Sequence, residues 1–471
     1  MAEDNDLRSI QMGLPMEDYI MCDRVMIAAP KSGSGKTFIT CALLRALKSG
    51  GRSVKAFKCG PDYIDPMFHR DVLGVPSKNL DTFFTGEEGT RALFEEGARG
   101  ADIAVMEGVM GLFDGLGGIN EEGSSYHLAA VTDTPIVLVV DAKGMGRSVI
   151  ALIAGFLKYD ERKLIKGVIL NRTSGSLFEI LRPVMEEELG IRALGFLAER
   201  KEAAIESRHL GLMMPGEIAD LKKKLGAAAA EFEKNVDLKG LLEIAHSAPD
   251  MECVEKLNED KTYGHMAEGP VIAVARDEAF CFLYGENLEL LKKAGARLRF
   301  FSPLHDKKMP EESRGLLLCG GYPELFLEEL SGNKEMLEEI KRAYASGMPT
   351  LAECGGFMYL HRAIRDGRGK SYPMVGALDA ECFFTGRLVR FGYIELREKS
   401  PRFLPEGKII RGHEFHYFDS EFNGDACIAS KPSLKGREYE CVIADGNSFV
   451  GFAHLYYPSN PDFAEKFVNM L

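Results

Sequence analysis

Two short stretches hold residue types that could do chemistry. In Pro30–Lys31–Ser32–Gly33–Ser34–Gly35–Lys36–Thr37, glycines, a lysine and a hydroxyl residue follow one another. Gly33 and Gly35 would let the backbone curl so that successive N–H groups converge on phosphate oxygens. Lys36 would then reach the β- and γ-phosphates, and the Thr37 hydroxyl would hold Mg²⁺. Pro30 stands where such loops usually begin with glycine. The second stretch is Glu353–Cys354–Gly355–Gly356–Phe357. Its glycines permit the tight turn that lifts a nucleophile above a sheet. A helix starting there would stabilise the Cys354 thiolate through its dipole. The N–H of Gly355 can serve an oxyanion, with a second donor from the Gly320–Gly321 turn. A thiol nucleophile needs a base, and spacing alone does not choose among His413, His416 and His454. Asp62 and Asp65, in Gly60–Pro61–Asp62–Tyr63–Ile64–Asp65, suit either turn capping or ligand contact. Glu107 ends an apolar run, where an acid is expensive to desolvate unless it meets a cation. Beside a phosphate loop the cation to expect is Mg²⁺.

The elements that must position these groups are legible. Val25–Met26–Ile27–Ala28–Ala29 reads as a buried strand before the phosphate loop, and 38–47 as a helix after it. Further apolar runs at 53–58, 102–106, 135–140, 167–171 and 191–197 read as strands, with helices at 148–157 and 227–244. Strands apolar throughout, alternating with helices, imply a parallel sheet covered on both faces. Residues 247–269 are charged and weakly periodic and read as an exposed linker, and 1–22 as a flexible lead-in. Beyond the linker, strands are expected at 270–275, 297–301, 315–319 and 349–352, with helices at 287–294 and 335–346. The fold class is therefore α/β in two domains, 23–246 and 270–471, each a mainly parallel sheet with helices on both faces.

Composition narrows the function. The 471 residues are 45% hydrophobic and 27% charged, as in ordinary globular proteins. A net charge of −13 argues against a nucleic-acid surface. No run of apolar residues is long enough to cross a membrane, and residues 1–21 lack the basic-then-apolar pattern of a secretory signal. Ten scattered cysteines without a C-x-x-C pair fit a reducing, cytoplasmic setting rather than disulfides or zinc.

Phe57–Lys58–Cys59–Gly60–Pro61–Asp62–Tyr63–Ile64–Asp65, with Glu107–Gly108–Val109–Met110–Gly111, resembles the cobyrinate a,c-diamide synthase family. The resemblance runs from about Val25 to the C-terminus. It implies an N-terminal phosphate-loop domain similar to dethiobiotin synthetase and to septum- and plasmid-positioning ATPases. The C-terminal domain would be a triad-type glutamine amidotransferase. By this resemblance ATP is bound by Gly33, Ser34, Gly35, Lys36 and Thr37, with Asn171 reading adenine. Asp62, Tyr63 and Asp65 would handle the corrinoid carboxylate and its acyl phosphate, and Thr37 and Glu107 the Mg²⁺. Cys354 would be the nucleophile, His454 the base, and Gly321 and Gly355 the oxyanion donors. Most such domains carry glutamate two residues after the histidine, and here Tyr456 stands there, as in the corrinoid amidotransferases. The segment at His413 and His416 resembles another family segment that shapes the site.

The chemistry implied is ATP- and glutamine-dependent amidation of the a and c acetates of cobyrinate through acyl phosphates, with ammonia kept from bulk water. The partners are a corrinoid and glutamine, with no nucleic acid and no membrane; a homodimer is compatible with the chain. Hydrogenobyrinate or a nickel-sirohydrochlorin would undergo the same chemistry. A positioning ATPase with a regulatory C-terminal module, or a dethiobiotin-like carboxylation, would leave Cys354 without a use.

Overall fold

The computed structural model describes residues 19–20, 22–199, 207–208, 211–212, 221–252, 269–434 and 436–471. The chain divides into two units, Met1–Glu259 and Asp260–Leu471. In the first, among the described residues, seven parallel strands form one sheet. Its order is Ser77–Leu80, Val54–Cys59, Ile103–Glu107, Asp23–Ala28, Ile136–Asp141, Ile165–Asn171, Arg192–Leu197. Parallel neighbours require crossovers, which helices such as Lys36–Ser49, Thr82–Ala98, Ser148–Tyr159 and Gly175–Leu189 supply. The central strands are buried on both faces, so their apolar runs carry no alternation. The Asp23–Ala28 strand has Ile103–Glu107 on one side and Ile136–Asp141 on the other, which brings Glu107 to the phosphate loop.

The stretch 227–244, read as one helix, is two: Leu221–Asn235 and Leu238–His246. Val236 bridges to Gly195 between them, and the Asp237 carboxylate caps the second by accepting from Gly240 N–H at 2.9 Å. The helix Thr82–Ala98 was not legible because Gly86, Gly89 and Gly97 dilute its pattern; the Asp81 side chain caps it. Within the lead-in and linker, Tyr19–Ile20 pairs with Met251–Glu252. The buried Arg24 guanidinium donates to the carbonyls of Thr132 at 2.9 Å and Pro249 at 2.6 Å. The chain therefore stays attached to the first unit through Glu252; linker residues 253–268 and lead-in residues 1–18 lie outside the described residues.

In the second unit five parallel strands run in the order Arg297–Phe301, Val271–Ala275, Ser313–Leu318, Thr350–Glu353, Ser448–Gly451. Two further sheets, which the sequence reading did not anticipate, fill most of 361–441. One is antiparallel, with order Glu438–Cys441, Cys427–Ser430, Arg390–Glu398, Ile409–His416, His454–Leu455. The other joins Ser371–Pro373, His361–Arg365, Leu378–Phe384 and Phe418–Ser420. Among the described residues no helix is long and apolar enough to cross a membrane.

Candidate active site

The phosphate loop leaves the strand Asp23–Ala28 and opens the helix Lys36–Ser49. Gly33 and Gly35 take φ of 76° and 94°, the left-handed region that glycine enters without steric cost. At Gly35 space as well as torsion demands glycine, since a Cβ there would lie 2.2 Å from Asn171 Nδ2. Asn171 ends the strand Ile165–Asn171; its amide donates to Ser34 O at 2.8 Å and accepts from Arg172 N–H at 3.0 Å. The residue expected at adenine thus braces the phosphate loop. Ser34 Oγ donates to Lys31 O at 3.0 Å, and Lys36 Nζ donates to Met110 O at 2.5 Å. Burial and the charge of Lys58 push the Lys36 ammonium down to about 8.

The acidic residues converge on this loop. Thr37 Oγ1 lies 2.6 Å from Glu107 Oε1 and 3.3 Å from Asp65 Oδ2. Asp62 does what a turn aspartate does, accepting from Ile64 N–H at 2.8 Å, while its other oxygen lies 3.8 Å from Lys58 Nζ. Tyr63 is buried at the start of the short helix Ile64–Met67. The cation that Glu107 meets is Lys58, at 2.9 Å, where the sequence reading looked only to Mg²⁺. Lys58 is buried and also pairs with Asp65. His69, likewise buried, holds Nε2 at 3.2 Å from Glu107 Oε2 and Nδ1 at 3.0 Å from Ser77 Oγ.

The charges in this cluster decide one another's state. Burial works against the Lys58 ammonium, but Asp65, Glu107 and Asp62 outweigh it and hold the group well above the usual lysine range. Burial, then Asp62 and Glu107, raises the Asp65 carboxyl. Glu107 suffers the same burial, yet Lys58 and His69 hold it below the usual carboxylate range. Among the described residues no three His, Cys, Asp or Glu side chains form a metal cluster. The oxygens of Thr37, Glu107 and Asp65 are nonetheless the hard donors Mg²⁺ takes beside phosphates, where it needs few protein ligands. Sequence reasoning assigned nothing to Lys58 or His69. A lysine inside a buried strand was the signal for the first.

In the second unit Cys354 follows the strand Thr350–Glu353 and takes φ 45°, ψ −104°, the strained turn of a nucleophile elbow. Its N–H donates to Gly451 O at 2.8 Å, which ties it to the chain three residues before His454. Gly356 must be glycine, because a Cβ there would fall 2.1 Å from Leu318 O. Gly320–Gly321, expected as a turn, is a two-residue strand paired antiparallel with Phe280–Phe282, and it touches both sides of the site. A Cβ on Gly320 would lie 2.4 Å from His454 Cε1, and Gly321 N lies 3.2 Å from where a Gly355 Cβ would be. Cys354, Gly355, Gly321 and His454 are therefore gathered around this short strand.

The thiol departs from the expected thiolate. Burial and the Glu324 carboxylate push it far up, against the Gly355 N–H that favours the anion. The helix that follows, Gly355–Leu360, has six residues, too little dipole to win in a buried setting. Burial likewise pushes the His454 imidazole well below its usual range, with His413 and His416 acting in the same direction. The resting pair is neutral thiol and neutral imidazole. His413 faces His454 in register across antiparallel strands, its ring stacked at 4.9 Å and 16°. His416 stacks on Phe452 at 4.1 Å and bonds Phe418 O through Nδ1 at 2.6 Å. Between them Glu414 is buried against Lys431 at 3.2 Å and Arg390 at 3.4 Å.

Comparison with known proteins agrees with both halves. Residues 25–212 match the family model of the CobQ/CobB/MinD/ParA nucleotide binding domain, and 271–461 that of the CobB/CobQ-like glutamine amidotransferase domain. The chain is similar to the cobyrinate a,c-diamide synthase of Caldanaerobacter subterraneus subsp. tengcongensis, 42% identical over 95% of this chain and 98% of the relative. It is 38% identical to those of Fusobacterium nucleatum, over 94% and 99%, and Thermoplasma acidophilum, over 94% and 98%.

Proposed function

The chain belongs to the cobyrinate a,c-diamide synthase family, and from that premise we propose that it amidates the a and c acetates of cobyrinate, using ATP and glutamine. In the second unit Cys354 Sγ attacks the glutamine side-chain amide while His454 takes the thiol proton. The N–H groups of Gly321 and Gly355 receive the developing oxyanion. Ammonia leaves, and water hydrolyses the glutamyl thioester. A neutral thiol suits this order of events, because the proton passes to the imidazole as the carbon–sulfur bond forms.

In the first unit the N–H groups of the Gly33–Thr37 loop and Lys36 grip the ATP phosphates. Thr37 and Glu107 would hold Mg²⁺, which would offset the phosphate charge. Asp62, Tyr63 and Asp65 orient the corrinoid acetate, and Lys58 draws its carboxylate and the γ-phosphoryl together. A carboxylate is a poor electrophile, and conversion to an acyl phosphate supplies a leaving group for ammonia to displace. Asn171 contacts adenine from its place against the phosphate loop.

The observation that carries this reading beyond simple ATP hydrolysis is the 3.3 Å approach of Asp65 to Thr37, which sets an acid-bearing loop beside the phosphate loop. Incubation with cobyrinate, ATP, Mg²⁺ and glutamine, followed by mass spectrometry, tests it. Two successive exchanges of a carboxyl hydroxyl for an amino group are expected. Absence of product from cobyrinate, with product from hydrogenobyrinate or nickel-sirohydrochlorin, would reassign the macrocycle.

A further inference from the structure

Glutamine hydrolysis as read above leaves His454 without a carboxylate two residues on, because Tyr456 occupies that position. Another acid is built in next to the nucleophile. Glu353 closes the strand Thr350–Glu353 and is buried. Its carboxylate accepts a hydrogen bond from Leu455 N–H and one from the Tyr457 hydroxyl at 3.3 Å. Leu455 belongs to the two-residue strand His454–Leu455, which lies in the antiparallel sheet rather than in the parallel sheet of Cys354. Glu353 is therefore bonded covalently to the thiol residue and, through its side chain, to the residue next to the imidazole. It also supplies the carboxylate of a small cavity otherwise lined by apolar side chains, including Leu351, Val442, Phe449 and Ala453, and by Tyr457. The bond to a main-chain N–H is set by backbone position, so it transmits the location of one strand to the other.

We propose that Glu353 is a positioning residue for glutamine hydrolysis: by joining the strand that ends before Cys354 to the strand that begins at His454, it sets the reach between thiol and imidazole. The proposal rests on the Cys354–His454 reading. Burial in the apolar lining pushes the Glu353 carboxyl up to about 8, against the Leu455 N–H and the Tyr457 hydroxyl. The titratable groups around it are Tyr457, Cys319, Cys354 and, on the adjoining strand, His454. Burial holds all four neutral. The carboxyl is thus uncharged at neutral pH.

The test compares full-length Glu353→Gln and Glu353→Ala with the wild type, driving amidation of cobyrinate by glutamine or by ammonium salts. With Glu353→Ala, glutamine-driven kcat should fall by about tenfold or more, while KM for glutamine and the ammonium-driven rate stay within about twofold. Glu353→Gln accepts the same N–H but does not ionise. It should recover most of the rate. Glutamine-driven rates within about twofold of wild type for both variants would overturn the proposal, as would a Glu353→Gln rate no higher than that of Glu353→Ala. Cys354→Ala serves as the control for the underlying reading: glutamine hydrolysis surviving in that variant sinks the thiol mechanism itself, whatever Glu353 does.

Discussion

Lys58 Nζ lies 2.9 Å from Glu107 Oε1, although the two residues are 49 positions apart in the chain. The contact spans neighbouring parallel strands, where Lys58 and Glu107 stand in register. It answers how an acid can end a fully buried strand: its counter-charge comes from the next strand, Thr37 donates to the same oxygen, and His69 Nε2 lies 3.2 Å from the other.

Replacing Lys58 with methionine should therefore harm both folding and chemistry. It leaves Asp65 and Glu107 buried without their cation, a loss of about 3–5 kcal/mol when one partner of a buried pair is removed. Amidation should fall by about 10²-fold or more with glutamine and with ammonium alike. Denaturant unfolding and product assays check the two effects. Adding Glu107→Gln should restore part of the stability and none of the activity, because only the first effect comes from unpaired charge.

Gly35→Ala should abolish tight nucleotide binding. The new methyl would collide with Asn171 Nδ2, and φ of 94° costs an alanine about 1–2 kcal/mol besides. Calorimetric titration with ATP and Mg²⁺ is the measurement. Combining it with Asn171→Ala opens the space but leaves the torsional cost, so binding should return only in part. Full recovery would show the torsion to be unimportant.

The two activities should separate at the second unit. Cys354→Ala should eliminate glutamine hydrolysis, and His454→Ala should lower it by about 10²- to 10⁴-fold. Ammonium-driven amidation should persist in both. If either substitution also stopped the ammonium-driven reaction, the division of labour between the units would be wrong.

Acid should weaken the second unit through His361. This ring is buried, bonded to Phe357 O at 2.8 Å and to Ser420 Oγ at 2.7 Å, and burial pushes it down from 6.5 to about 4. Its folded value lies below its unfolded one, so between these limits the unfolded chain binds more protons. Stability should fall as pH drops from about 6.5 and level off below about 4, by about 3 kcal/mol in all. Urea midpoints at pH 7 and pH 5 would register the loss, and His361→Gln should flatten it.

The chain's own order of residues determined a good deal. A phosphate loop needs glycine, lysine and hydroxyl within one turn, and a nucleophile elbow needs small residues directly after the thiol. Both are contacts between near neighbours, so 33–37 and 354–356 announce themselves. The parallel strands were legible as well, since burial on both faces makes them apolar from end to end. The antiparallel strands of 361–441 were not. With one face wet and lengths from three to nine residues, their alternation blurs into loop.

What tertiary structure alone decided is which distant groups share a charge or a bond. Lys58 and His69 meet Glu107, Asn171 meets Ser34, and Glu353 meets Leu455 across gaps that no local spacing records. It also reversed one local inference. A cysteine at a helix start reads as a thiolate, but in the folded chain burial and nearby carboxylates outweigh six residues of helix and keep the proton on sulfur. The physical reason is common to both: ionisation and hydrogen bonding depend on what surrounds a group in space, and that depends on the packing of segments far apart along the chain.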